Sequence, residues 1–150
     1  MYLPSKIPIG YIDIRVFAHA TEDVDKVLNA VRNTLPTEIL DNVAMKRTNL
    51  TGHHGNPIIL LEARIKEKKA AQAVFEKLSS GLSVLDKELL SNEISEHLDR
   101  GNLYLRFDKQ SACINELKLS QTDPIHFRIH FKKSNIEEIV NICRKYGMLP

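Results

Sequence analysis

Three observations predict an α+β fold of two layers, a largely antiparallel sheet with helices packed on one face. First, Ile125, Phe127, Ile129 and Phe131 alternate with His126, Arg128, His130 and Lys132, and Ile12, Ile14, Val16 and Ala18 alternate with Asp13, Arg15, Phe17 and His19. A period of two marks a strand with one side on a core and the other in water. Second, Val24, Val27, Leu28, Val31 and Leu35 recur at helical spacing, as do Val74, Phe75, Leu78 and Leu82. Such stripes belong to amphipathic helices lying on a sheet. Third, some strand-like runs are joined by turns too short for a crossover, which makes neighbours antiparallel.

Taken in order, Ile7 to Ala20 reads as the first strand. Thr21 then offers an N-cap, with Glu22 and Asp23 in a first turn that favours negative charge. Pro36 ends this helix, and Thr37–Leu40 can add one short turn. Val43 to Leu50 reads as a second strand and Ile58 to Lys66 as a third. Between them lies Gly52-His53-His54-Gly55-Asn56-Pro57. Its two glycines can adopt positive φ, and Pro57 biases Asn56 away from the helical region, so a stiff hairpin tip carrying His53 and His54 is expected. Lys68 to Leu82 is helical. The period continues through Leu85, Leu89, Leu90, Ile94 and Leu98 after a break near Ser79–Ser83. Arg100-Gly101-Asn102 is a turn before the strand Leu103–Phe107. Asp108 can cap a short helical turn, Glu116–Leu119 alternates briefly, and Gln121-Thr122-Asp123-Pro124 turns into the strand at 125–132. Ser134 or Asn135 caps a last helix that Gly147 stops. A single domain over 1–150 is expected, with 134–150 as a C-terminal helical extension.

The totals fit a folded domain with a real core: 150 residues, 43% apolar and 27% charged. No apolar run is long enough for a membrane span, and Met1–Lys6 lacks the apolar core of a signal peptide, so a cytoplasmic protein is expected. Cys113 and Cys143 have no metal-ligand spacing. Buried free thiols are the default in a reducing compartment, and a disulfide between the two is the alternative.

A net charge of +2 argues little, but its distribution is uneven. Asp86, Glu88, Glu93, Glu96 and Asp99 face only Lys87 across 84–99, while 102–133 is rich in bases. Arg128, His126, His130 and Lys132 share one side of a strand. Arg15, Arg64, Arg106 and Lys118 hold matching positions on other segments. If those strands are neighbours, one open sheet face is basic and suits phosphates, with Tyr11, Phe17 and Tyr104 as stacking platforms. The alternative is that long basic side chains simply cover an open sheet. Catalysis has little support: His53 and His54 would point opposite ways in a strand, no HExxH, CxxC, GxSxG or phosphate loop is present, and Asp13 has no evident partner. No catalytic residue, metal ligand or cofactor is therefore expected.

The order His19-Ala20-Thr21-Glu22-Asp23, then Gly52-His53-His54-Gly55-Asn56-Pro57-Ile58, then Leu103 through Arg106-Phe107-Asp108-Lys109-Gln110-Ser111-Ala112, resembles an archaeal family of predicted exosome subunits or RNA-binding proteins. The likeness runs from about residue 8 to about residue 131, with Ser111 where an alanine is usual. It implies a fold like ribosomal protein L-five and an RNA-related role without established catalytic residues. The candidate RNA-binding residues are Arg15, His53, His54, Asn56, Arg64, Arg106, Lys109, Gln110, His126, Arg128, His130 and Lys132. RNA is the expected partner, with protein subunits of an RNA-processing complex second and no membrane. Two further readings compete. In one, the acidic 84–99 segment and the final helix dock a protein; in the other, His53, His54 and Asp108 serve a metal-dependent or phosphoryl-transfer enzyme. The glycine loop and the 106–110 strand end are expected side by side, forming one polar patch in which Lys109 and Arg106 supply the charge and Asn56 and Gln110 the paired donors and acceptors.

Overall fold

The computed structural model describes residues 8–132 and 135–150. Its centre is one antiparallel sheet of six strands in the order β2-β3-β1-β6-β5-β4. These are β1 (Ile9–His19), β2 (Lys46–Thr51), β3 (Pro57–Ile65), β4 (Leu98–Asp99), β5 (Asn102–Phe107) and β6 (Ile125–Phe131). The helices are α1 (Val24–Asn33), α2 (Lys68–Gly81), α3 (Val84–Asn92), α4 (Ile94–His97), α5 (Lys109–Cys113) and α6 (Ile136–Tyr146), and a 3-10 turn covers Thr37–Asn42. Helices lie on one side of the sheet, as the two periodicities predict.

The alternation in β1 and β6 sorts the two faces. Ile12, Ile14, Val16, Ile125, Phe127, Ile129 and Phe131 all point into the core. Phe75 of α2 meets Phe131 edge-on, with ring centroids 5.7 Å apart, and Tyr146 of α6 at 5.5 Å. The final helix thus contributes to the common core: Ile139 and Cys143, with Met148 and Leu149 beyond, are buried in it. Asn135 is its cap, accepting from the N–H groups of Glu137 and Glu138, and Gly147 closes it at φ 81°. Ser134, the other capping candidate, lies outside the described residues, as does Ile7.

Several local expectations are corrected. The cap of α1 is Asp23, whose side chain accepts from Asp25 N–H; Thr21 lies before it, and the Glu22 carboxylate instead accepts from His19 N–H. The acidic segment does break at Leu82–Ser83, where Ser83 caps α3, but its helical period stops short of Leu98. Leu98 and Asp99 pair with Leu103 and Asn102. Arg100 and Gly101, at φ 51° and 84°, form the turn between them, the left-handed geometry that tight hairpins use. Cys143 is buried and free, and burial pushes its thiol up to about 12. Cys113 is free and exposed, so only one of the two expected buried thiols is buried.

Candidate nucleic-acid interface

Directly opposed residues of paired strands point to the same side of a sheet, so the register lays out the uncovered face in rows. One row runs Arg64, Asp13, Arg128, Tyr104 across β3, β1, β6 and β5. The next runs Lys46, Glu62, Arg15, His126, Arg106, starting from β2. Beside it, Thr48, Leu60 and Phe17 form a more apolar row, and Leu50, Ile58 and His19 follow. On the other flank Tyr11, His130 and Asn102 make a polar row. The strands carrying Arg15, Arg64, Arg106 and Arg128 are therefore neighbours, the condition under which the face is basic.

The charge on this face is unevenly available. Asp13, which the sequence leaves without a partner, sits between two arginines. Arg64 donates to its two carboxylate oxygens from Nε at 2.6 Å and Nη2 at 2.9 Å, and Arg128 Nη2 donates at 2.9 Å. The hydrogen bond it donates to Asp13 raises the pKa of the Arg64 guanidinium above its ordinary value. Tyr11 is enclosed by this group: Arg64 lies 4.2 Å over its ring, Arg128 donates to its hydroxyl at 3.1 Å, and His130 stacks on it at 4.6 Å. His130 Nδ1 in turn lies 2.8 Å from Asn102 Oδ1. Tyr11 is accordingly part of the sheet's own scaffold, with its faces occupied, and is not an open platform.

Arg15 and Arg106 differ. Arg15 is exposed and only 3.7 Å from Glu62 at its closest, a loose pair that salt screens readily. Among the described residues no carboxylate pairs with Arg106. With Phe17, Asp123, Pro124 and His126 they line a hollow of about 390 Å³. His126 is half-buried rather than exposed. Burial holds its pKa below the usual histidine value, and the positive fields of Arg106, Arg15 and Arg128 add to that. A histidine whose proton is repelled by three guanidinium groups reports a site of positive potential.

Lys109 is placed elsewhere than an RNA-facing charge would be. It is 7% exposed. Its ammonium donates to Phe17 O at 2.6 Å, Glu22 Oε1 at 3.0 Å and Asp123 Oδ2 at 2.8 Å. His19 Nε2 lies 3.0 Å from Asp123 Oδ1. Burial would raise the Asp123 pKa, but the bonds from Lys109 and His19 outweigh it and hold the carboxyl below its usual value. His19, Glu22 and Asp123 bring ligand atoms within 4.8 Å of one another, the spacing a metal ion would need. Lys109 already supplies a cation to this cluster. Asp108 is the cap of α5, accepting from Ser111 N–H and from the Ser111 hydroxyl.

The expected single patch of the glycine loop and the strand end is not formed. β1 and β6 lie between β3 and β5, three strand steps of about 4.8 Å each, or about 14 Å sideways. Gln110 is exposed beside the start of α1, on the helix layer. His53 and His54 are exposed at the tip of the β2–β3 hairpin, their rings edge-on at 5.2 Å. The two glycines there have different jobs. Gly55 takes φ 81°, whereas a Cβ on Gly52 would stand 2.7 Å from Asn56 Oδ1. Gly52 N–H donates to Asn56 O at 2.6 Å, so Asn56 closes the tip. Lys132 is exposed just past β6, and its N–H donates to Pro8 O at 2.9 Å.

An open antiparallel sheet, helices behind it and a cationic, partly aromatic front define an α+β protein whose exposed face suits a polyanion. The family model described as "RNA binding" matches residues 11–131, and the chain belongs to that family. The RNA-binding protein PAB1135 of Pyrococcus abyssi is 38% identical over 149 residues, covering 96% of this chain and 97% of its own. Among solved structures, protein SSO0741 of Sulfolobus solfataricus, of the family DUF54, is 32% identical with a TM-score of 0.73, covering 91% of this chain and 97% of its own. A DUF54 protein of Methanothermobacter thermautotrophicus is 29% identical with a TM-score of 0.76, covering 93% and 98%.

Proposed function

We propose that the chain is a non-catalytic RNA-binding protein and that RNA lies on the open sheet face, with Arg15, Arg106, His126 and the neighbouring Arg128 and Arg64 at its centre. The observation that carries this is the row Arg15–His126–Arg106. It brings two guanidinium groups and an imidazole from three strands onto one uncovered surface and, among the described residues, leaves Arg106 without an acidic partner. Phosphates would replace the counterions such a surface holds, which makes binding salt-dependent. His53, His54 and Asn56 at the hairpin tip, His130 on β6 and Lys132 just past it extend the same face as outlying contacts. A cytoplasmic place beside RNA-processing or ribosomal machinery fits the resemblance. Among the described residues no helix is long and apolar enough to cross a membrane. Titration of structured and single-stranded RNA at a low and a high salt concentration tests the reading. Binding that weakens steeply with salt is expected, and no binding at low salt would refute it.

Binding is also expected to depend on pH through His126. Its pKa is depressed in the free protein by burial and by the arginines. Phosphates that neutralise those arginines relieve part of the depression, so the complex takes up protons. Affinity should then rise as pH falls below about 6.5, and be flat above it. Substituting His126→Gln should remove this slope; a parent slope that survives the substitution excludes His126 from the site.

The second reading, a protein-docking subunit, rests on α3. Val84, Leu85 and Leu89 are 70%, 77% and 45% exposed beside Glu88. Partners captured from native lysate that persist after nuclease treatment and are lost on Leu85→Glu would favour it.

A further inference from the structure

We infer that the hollow between Phe17 and Arg106 takes a single unpaired nucleotide, its base stacked on Phe17 and its flanking phosphates on Arg15 and Arg106; this rests on the RNA-binding reading and names the form of RNA. On the outer side of β1 every other described position from Tyr11 to His19 is polar or amphipathic: Tyr11, Asp13, Arg15 and His19. Phe17 breaks that series, and it is 37% exposed. An aromatic ring left partly in water beside the guanidinium groups of Arg15 and Arg106 costs hydrophobic free energy that a stacked base would recover. By contrast, the ring of Tyr11 is already covered by His130 and Arg64.

The surroundings have the parts a nucleotide needs. Phe17 and Pro124 give apolar surface, and the Arg15 guanidinium lies over one face of the Phe17 ring, 5.9 Å from its centroid, leaving the other face to a base. Arg106 lies across His126 from Arg15, so the two guanidinium groups flank the hollow two strands apart. Asp123, kept ionised by Lys109 and His19, also lines the hollow and offers an acceptor to the N–H groups of a base edge. A carboxylate would repel a phosphate, so the anionic part of the ligand belongs on the arginine side and the base on the Asp123 side. The volume of about 390 Å³ falls at the small end of ligand sites, about 300–1,000 Å³. A base inside a duplex has both faces covered and cannot stack on a side chain, so the ligand is single-stranded or an extruded loop nucleotide.

The test compares a fluorescein-labelled single-stranded oligoribonucleotide of mixed sequence with an RNA duplex of the same sequence, by anisotropy, on the full chain. Phe17→Leu is expected to weaken single-strand binding roughly tenfold while leaving duplex binding and the salt slope unchanged. Phe17→Trp should bind the single strand at least as tightly as the parent. Replacing one nucleotide by an abasic residue at successive positions should locate a position whose loss costs the parent about as much as Phe17→Leu, and costs the variant nothing further. If Phe17→Leu and Phe17→Trp both match a parent that binds RNA, the stacking site is refuted while the RNA-binding reading stands. A parent that binds duplex alone has the same meaning. A parent that binds neither RNA at low salt refutes both.

Discussion

Replacing Arg15 and Arg106 together by Ala is expected to lower RNA affinity roughly ten- to a hundredfold at low salt and to leave the fold intact. The pair supplies two phosphate contacts in the proposed complex. Each contact to a single strand contributes about 0.7 to the slope of log affinity against log salt, so the slope should become shallower by about 1.4. The variant should melt near the parent temperature, since Arg15 makes only a 3.7 Å pair with Glu62 and Arg106 is without a carboxylate partner among the described residues. Arg64→Ala offers the contrast. Its guanidinium is spent on Asp13 and on the face of Tyr11, so its loss should cost stability and change the salt slope less. Equal affinity and equal slope for the Arg15/Arg106 variant and the parent would remove this face from the RNA site.

Lys109→Met is expected to be among the most destabilising substitutions outside the apolar core. The methylene stem can be mimicked, but the ammonium cannot: Phe17 O, Glu22 and Asp123 all lose its hydrogen bond and the two carboxylates lose its charge. Removing one member of a fully buried pair costs about 3–5 kcal/mol. Here the Glu22 and Asp123 side chains keep 29% and 40% exposure and can rehydrate, which brings the expected loss to about 2–3 kcal/mol. For a chain of 150 residues that corresponds to a melting temperature lower by about 5–10 °C. Chemical denaturation with refolding controls measures it. A variant as stable as the parent would mean that the cluster contributes nothing net.

What the sequence discloses and what it conceals divide along one line. Most patterns local to a segment are legible, the cap of α1 being an exception. The alternation at 125–131 separates core from front without error, because burial on one side is all it encodes. The caps at Asp108 and Asn135 are legible for the same reason: the capping side chain and its N–H target lie within three residues. Strand order is a non-local choice, and everything that depends on it is concealed. Asp13 reads as a lone carboxylate until β3 and β6 bring Arg64 and Arg128 to its two sides. Lys109 reads as a surface charge because lysine usually is one, and only the approach of β1 and of the 121–124 turn buries it. The shared patch failed on strand order too, since turns at one end of a sheet need not be adjacent. Phe17 was legible as an aromatic on the wet side of a strand, but its neighbours in the hollow, Pro124 and Asp123, come from a turn that local pattern does not place.

The position of β1 between β3 and β6 also bears on how the molecule is made. Its pairing with β3 spans an intermediate loop, whereas its pairing with β6 joins residues as far apart as Asp13 and Arg128, 115 positions along the chain. Closing so long a loop is entropically costly and slow compared with local contacts. On the ribosome the first three strands, α1 and α2 are synthesised well before β6 emerges, and until then one edge of β1 has no partner strand. Asp13 can meet Arg64 during that interval and Arg128 only at its close. The row that joins Arg15 to His126 and Arg106 comes into being at the same late step, so competence to hold a polyanion would be acquired together with the completed sheet and not before it.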